Sequence, residues 1–253
     1  MITPDTIRIR FLGTGAADWS GPKADGELRR MTSTLLDGTL LIDLTEPVIG
    51  SIPADAAVTD ILITHSHADH FDPKAIARLA PVRVYADAGW AGKIRIEGAD
   101  VRPVTAGVPF EAAGFSVIPM HGNHSTEGAG EHTVHYLLKK SGCALYYATD
   151  GAWLMYPEAR LIRENPLDAL VIDATVGDGH DGDYRVFEHN SLDMVRIMVR
   201  SMRQSGMLKP GAPVFLTHLA RTLHGGQAEL EAALPAPFVI CRDGLACDIR
   251  RRS

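Results

Sequence analysis

With 253 residues, 45% of them hydrophobic and 22% charged, the chain can bury a substantial core. It holds no apolar stretch of the roughly 18 uncharged residues a membrane-spanning helix needs. A formal net charge of −6 argues against broad nucleic-acid binding, which draws its affinity from basic surface. Residues 1–5 show no basic region followed by an apolar core, so no secretory signal is read there and a cytoplasmic location is expected. Cys143, Cys241 and Cys247, an odd number in apolar surroundings, read as reduced core thiols.

In chain order, residues 6–12 alternate Ile7, Ile9 and Phe11 with Arg8 and Arg10, the period of an edge or half-exposed strand. Gly13-Thr14-Gly15 follows as a tight turn, and residues 39–44 form a more buried strand. The apolar run Ile61-Leu62-Ile63-Thr64 then leads straight into His65-Ser66-His67-Ala68-Asp69-His70. Imidazole and carboxylate are ligands that Zn²⁺, Mn²⁺ and Fe accept. His65 and His67 are in phase to hold one ion while Asp69 and His70 turn toward another, so the spacing predicts two ions. Asp72 as N-cap and Pro73 at the first helical position open a short helix through Leu79, stopped by Pro81.

Two further histidines, His121 and His124, fall in Pro119-Met120-His121-Gly122-Asn123-His124-Ser125, whereas His132 and His135 read as half-exposed strand histidines. Ala144-Leu145-Tyr146-Tyr147-Ala148-Thr149 ends in Asp150, and Val214-Phe215-Leu216-Thr217 ends in His218. Both repeat the pattern of Ile63-Thr64-His65, as separate strands delivering side chains to one rim would. Between them, an acidic glycine loop over residues 177–183 carries His180. Glu188-His189-Asn190-Ser191 precedes a long helix over residues 191–205, with Leu192, Val195, Val199 and Met202 on one face, Asn190 or Ser191 as cap, and Gly206 at its end. Arg221 and His224 follow His218 closely. Strands and helices alternate without a linker or low-complexity tract, which predicts a compact α/β fold.

The H-x-H-x-D-H run after a buried strand resembles the central motif of the metallo-β-lactamase superfamily of hydrolases. The resemblance implies a four-layer αββα sandwich, one such domain over residues 1–253, and two divalent metal ions, Zn²⁺ or Mn²⁺ with Fe also suited. In that scheme His65, His67 and a middle histidine hold the first ion, Asp69, His70 and His218 the second, and Asp150 bridges. Two ions about 3.5–4 Å apart lower the pKa of bound water from 15.7 to about 7, so a nucleophile exists at neutral pH. A proline several residues ahead and a serine behind favour His124 as the middle ligand, with His121 the alternative. Asp69 is counted as catalytic as well as ligating.

Phe11-Leu12-Gly13-Thr14-Gly15, with Arg30-Met31-Thr32-Ser33 and Leu41-Ile42-Asp43, resembles the opening of the branch that holds tRNA 3′-processing endonucleases and phosphoribosyl cyclic phosphodiesterases. Only 26 positions separate His124 from Asp150, which leaves little room for the tRNA-gripping arm often inserted there. The cyclic phosphodiesterases carry a histidine-asparagine element ahead of a helix. Here that element makes His189 the candidate general acid, suited by an ordinary imidazole pKa of about 6.5. His180 is its rival, and Arg221 and His224 are candidates to meet a phosphate. The expected substrate is a small, cyclic phosphodiester, with no membrane partner and no nucleic acid; family habit favours a homodimer. A lactonase or thioester hydrolase with a more apolar pocket, and a non-catalytic metal-binding carrier or sensor, are the competing readings. The loop over residues 122–131 is longer than in the plainest family members.

Overall fold

The computed structural model describes residues 6–126 and 128–252; residues 1–5, on which the expectation about the N-terminus rests, lie outside the described residues. One sheet contains β1 (Thr6–Gly13), β2 (Ser33–Leu36), β3 (Leu40–Ile42), β4 (Asp60–Leu62), β5 (Val82–Asp87) and β6 (Ala99–Val104). The other contains β7 (Phe110–Ala112), β8 (Phe115–His121), β9 (Val134–Lys140), β10 (Cys143–Ala148), β11 (Ala169–Asp173), β12 (Val214–Thr217) and β13 (Phe238–Ile240). The last strand, β14 (Ala246–Arg250), returns to the first sheet, so the two seven-stranded orders are β14-β1-β2-β3-β4-β5-β6 and β13-β12-β11-β10-β9-β8-β7.

Burial of both faces of each sheet sets the layering. Leu40 and Ile42 of β3 join Phe11, Phe115, Tyr136, Leu145 and Phe215 in the core between the sheets. Leu41, on the opposite pleat, packs outward with Val48 and Ile76 of the short helices α1 (Glu46–Ile49) and α2 (Pro73–Ala77), beside α3 (Ala88–Ala91). On the far side of the second sheet lie α4 (Tyr156–Glu164), α5 (Leu192–Gln204) and α6 (Gln227–Ala233), which bury Ile162, Val195, Val199 and Leu230 against Leu170, Ile172 and Leu216. The result is the expected αββα sandwich.

Local chemistry explains the element ends. Asp72 accepts hydrogen bonds from the Lys74 and Ala75 backbone N–H groups at 2.9 and 3.3 Å, and Pro73 opens α2. The helix stops at Ala77, two residues before the expected Leu79, because its last turn tightens onto Arg78. Ser191 Oγ caps α5 by accepting from Met194 N at 3.3 Å, a contact whose loss to alanine costs about 1 kcal/mol. At the other end Gly206 takes a left-handed φ of 73°, which glycine adopts without strain. β1 is half-exposed through Arg8 but is not an edge: β14 pairs along it from Thr6–Arg250 to Arg10–Ala246, a long-range closure that local periodicity does not register.

Cys143 and Cys241 are buried as expected and Cys247 is half-buried; none is in a disulfide. Among the described residues no helix is long and apolar enough to cross a membrane.

Candidate metal centre

The parallel registers β3–β4 and β10–β11–β12 put several carboxyl strand ends on one rim, where open α/β sheets gather functional groups. Asp43 follows β3, His65 lies just beyond β4, Asp150 follows β10 and His218 follows β12. Asp43, Asp150 and His218 have φ values of 58°, 53° and 58°. A non-glycine residue in this left-handed region costs of order 1–3 kcal/mol and persists only where its surroundings hold it. They do so here: Asp43 N donates to Leu62 O at 2.9 Å, His135 Nε2 donates to Asp150 O at 3.2 Å, and Thr175 Oγ1 donates to His218 O at 2.9 Å.

Two groups of donors converge on this rim, and a third overlaps the second through Asp150 and His218 and adds Asp173 and His189. Ligand atoms of His65, His67 and His124 all lie within 4.8 Å of one another, and so do those of Asp69, His70, Asp150 and His218. The Asp150 carboxylate stands between the groups. Its Oδ2 contacts His70 Nε2 and lies 3.7 Å from His65 Nε2, while Oδ1 lies 3.2 Å from His218 Nε2. His218 Nε2 is also 3.5 Å from Asp69 Oδ2.

Partners on the far side of each ring orient it. Nδ1 of His70 meets Asp43 Oδ2 at 2.7 Å, that of His218 meets Thr175 Oγ1 at 2.8 Å, and that of His124 meets Glu188 O at 3.2 Å. His65 Nδ1 meets Thr64 Oγ1 at 3.0 Å, and that hydroxyl donates onward to Asp43 Oδ2 at 2.8 Å. The Nε2 atoms of four rings therefore face the centre, and His67 turns Nδ1 inward, 3.2 Å from His124 Nε2. Rings fixed through one nitrogen and offering the other are the arrangement that supports metal ligation.

The buried polar atoms fit such an ion. His65 Nε2 is buried and makes no hydrogen bond, a costly state that a divalent cation would relieve. Burial pushes the His65 imidazole well below its ordinary pKa, helped by the neighbouring His70, so it is neutral and competent to ligate. Burial also opposes ionisation of Asp150, yet His218 and His70 hold its carboxyl well below the usual range. Asp69 is lowered in the same way, burial being offset by His70 and His218 together.

His189 lies beside these groups, its ring stacked on His218 with centroids 5.4 Å apart. Its Nδ1 is 2.9 Å from Asp173 Oδ2 and 3.2 Å from Asp150 Oδ1. Asp173 is fully buried and accepts from Thr175 N at 2.9 Å and Asn190 N at 3.1 Å. Although burial works against the charged ring, the Asp173 carboxylate, helped by Asp150, pushes the His189 pKa up to about 11, well above the ordinary imidazole value expected from the sequence. Asn190 joins the segment after Asp150 to the start of α5, accepting from Trp153 N and donating to Gly151 O, each at 2.8 Å. His67, Asp69, His124, Asp150, His189 and His218 all line one cavity of ≈ 260 Å³, with Asp18, Tyr184, Arg185 and Glu188 at its wall.

Not every residue singled out from the sequence reaches this cavity. His121, the exposed last residue of β8, sits 4.8 Å ring to ring from His132, outside both ligand groups. His132 is exposed in the segment before β9 rather than within a strand. His135 is not half-exposed but buried, because the Asp150 carbonyl and the Tyr146 hydroxyl, 3.1 Å from Nδ1, satisfy both its nitrogens. His180 is exposed and absent from the cavity wall. His224 Nε2 donates to Ala174 O and Thr175 O at 2.7 and 3.0 Å. Arg221 directs its guanidinium at Gly21 O and Pro22 O, 3.0 and 3.1 Å away, rather than at the cavity. The cation at the wall is Arg185, forked onto Asp183 at 2.8 Å through each of two nitrogens. Sequence reasoning missed Asp173 and Thr175, although Leu170-Val171-Ile172-Asp173 is another apolar run ending in a ligand-type residue.

Two sheets between helical layers, with imidazoles and carboxylates gathered on one rim, define an αββα protein with a candidate divalent-metal centre. A family profile for the beta-lactamase superfamily domain matches residues 34–199. The chain therefore belongs to the metallo-β-lactamase superfamily, whose members are mostly hydrolases and whose fold implies divalent metal ions.

Solved structures carry the same fold. A diphosphatase of the PhnP family is 21% identical with a TM-score of 0.70, over 96% of this chain and 97% of that one. YhfI from Bacillus subtilis is 15% identical with a TM-score of 0.74, over 96% and 100%. The short form of human tRNase Z is 18% identical with a TM-score of 0.68, over 96% and 99%. No curated protein matches the sequence at a significant level.

Proposed function

We propose that the chain is a cytoplasmic, dinuclear metal-dependent phosphodiesterase acting on a small, cyclic phosphodiester. His65, His67 and His124 would hold one ion, Asp69, His70 and His218 the other, and Asp150 would bridge, with Zn²⁺ or Mn²⁺ in the site and Fe also suited. Ions so held supply a nucleophilic water at neutral pH and neutralise charge on phosphoryl oxygens.

The observation that carries the proposal is His189, which lines the ligand cavity with Nδ1 engaged by Asp173 and Nε2 without a hydrogen-bond partner among the described residues. Asp173 fixes the ring and keeps it protonated, so Nε2–H is available to donate to a departing alkoxide. Thr175 links this pair to the second ligand group, since its hydroxyl lies 3.2 Å from His189 Nδ1 and 2.8 Å from His218 Nδ1. A wall of histidines, carboxylates and Arg185 suits a charged ester better than a lactone or thioester. The small-residue wall at Ala16, Ala17 and Ala220 and a volume of ≈ 260 Å³ suit a small substrate. The likeness to a PhnP-family diphosphatase and to a tRNase Z supports chemistry at phosphorus.

The test is hydrolysis of bis(p-nitrophenyl) phosphate by protein loaded with Zn²⁺ or Mn²⁺, beside Asp150→Ala and a panel of lactones and thioesters. Metal-dependent phosphodiester turnover, lost in the variant, is expected. Turnover confined to the carbonyl esters would overturn the substrate class, and binding of two ions with no turnover on any substrate would favour a carrier or sensor.

A further inference from the structure

The segment between β8 and β9 supplies His124 and carries a buried glutamate that belongs to none of the ligand groups. Glu131 is 6% exposed. Its Oε1 accepts from Ser66 N at 2.7 Å and its Oε2 accepts from Ser66 Oγ at 2.8 Å. Ser66 is the residue between His65 and His67, so one carboxylate grips the turn that aims both rings.

The grip is anchored on the protein side as well. Glu131 N donates to Gly128 O at 3.0 Å, and Thr126 Oγ1 donates to Glu131 O at 3.1 Å. The next residue is pinned to the end of β5, where His132 N donates to Asp87 Oδ1 at 3.2 Å. Lys93 Nζ donates to Ala129 O at 3.2 Å. Gly89 approaches Gly130 so closely that a Cβ there would lie 1.7 Å from the Gly130 carbonyl oxygen. Thr133 Oγ1 donates to His124 O at 3.4 Å, so the same segment steadies the third histidine.

We infer that Glu131 is a positioning residue for the first metal ion: it fixes the His65-Ser66-His67 turn against the loop that bears His124, and so pre-forms a three-histidine site from two segments far apart in sequence. A carboxylate withdrawn from water and committed to two donors of one serine is costly unless those hydrogen bonds are retained, which makes the clamp rigid. His67 and His124 are only half-buried, so packing alone does not fix them.

The inference rests on the metal assignment above, and its test reads metal binding rather than turnover. Protein stripped of metal is titrated with Zn²⁺ against a chromophoric chelator, and the two equivalents are resolved. Glu131→Ala is expected to weaken one equivalent by about 10–100-fold, the range for lost partners of metal ligands, and to leave the other in place. Glu131→Gln keeps an acceptor for Ser66 N and a group able to pair with Ser66 Oγ, so it is expected to restore binding.

Gly128→Ala is a second route to the same loss should the alanine variant fold poorly. A Cβ on Gly128 would lie 2.6 Å from Glu131 Oε2 and push the carboxylate off Ser66. A Glu131→Ala protein that melts earlier when metal-free but binds both equivalents as the wild type does would overturn the inference, as would a glutamine variant as weak as alanine. Wild-type protein that binds no ion would instead overturn the metal assignment, and this inference with it.

Discussion

His70, in the turn that follows β4, and His218, at the end of β12, are both buried, whereas His67 and His124 reach the centre from loops and stay partly open to solvent. The first pair is held by buried groups that the sheets themselves position: Asp43 behind His70, and Thr175 behind His218. The second pair is held by a backbone carbonyl at Glu188 and by a loop clamped through Glu131. One half of the centre is therefore built by the sandwich and the other is added to it. A site of this kind keeps its second half rigid at the cost of backbone strain at Asp150 and His218, and steadies its first half through side-chain hydrogen bonds between loops.

The substitution expected to do most damage strikes both halves together. Asp150→Ala removes the carboxylate standing between the two groups, and activity is expected to fall on the order of 10³-fold or more. Elemental analysis of the purified variant should show substoichiometric metal. Retention of both ions would break the view that Asp150 joins the halves.

Asp173→Asn comes next. It leaves the proposed metal ligands in place but removes the carboxylate that does most to hold His189 protonated, so kcat is expected to drop roughly 10²-fold. Metal stoichiometry should stay unchanged. An equal loss of metal would reassign Asp173 to holding His218, its other imidazole neighbour at 3.5 Å.

Asp43→Asn strikes the sheet-built half most directly. It weakens the partner of His70 Nδ1, and one metal equivalent is expected to bind about tenfold more weakly in a chelator competition. Both equivalents weakening alike would erase the distinction between the halves, since Asp43 also holds Thr64.

The mildest effect concerns acid. Burial, with Lys23 and Arg29 nearby, depresses the pKa of His224 to about 4, and the ring braces the carbonyls of Ala174 and Thr175 behind the second ligand group. The unfolded chain, with an ordinary histidine pKa of about 6.5, takes up this proton before the folded one does. The stability associated with His224 is therefore complete above about pH 6.5 and is lost progressively toward pH 4, by about 1 kcal/mol at pH 5.5. Urea midpoints at pH 7.5 and 5.5 should differ less in His224→Gln than in the wild type; an unchanged difference would remove His224 from the support of that half.

The ligand-bearing strand ends were legible because their signal is local. An apolar run that ends in threonine and a ligand-type residue needs only a few neighbours to be recognised, as at His65, Asp150 and His218. Asp72 and Ser191 announced their helices for the same reason, since a cap reaches only to the next turn. Asp173 escaped notice although its run has the same form, because its partner His189 lies 16 residues on, across a loop. His135 misled because an alternating strand pattern does not show that a carbonyl and a hydroxyl wait inside for its two nitrogens.

What the sequence by itself determined is the class of chemistry: imidazoles and carboxylates at a spacing suited to two ions, in a chain apolar enough for a layered α/β fold. Only the tertiary structure decided which histidine joins which group, that β14 closes the edge beside β1, that Arg221 serves a loop and not the cavity, and that Glu131 grips Ser66 from 65 residues away. Ligand type and strand period are properties of neighbouring residues, whereas the meeting of two side chains from distant segments depends on how the sheets and loops pack.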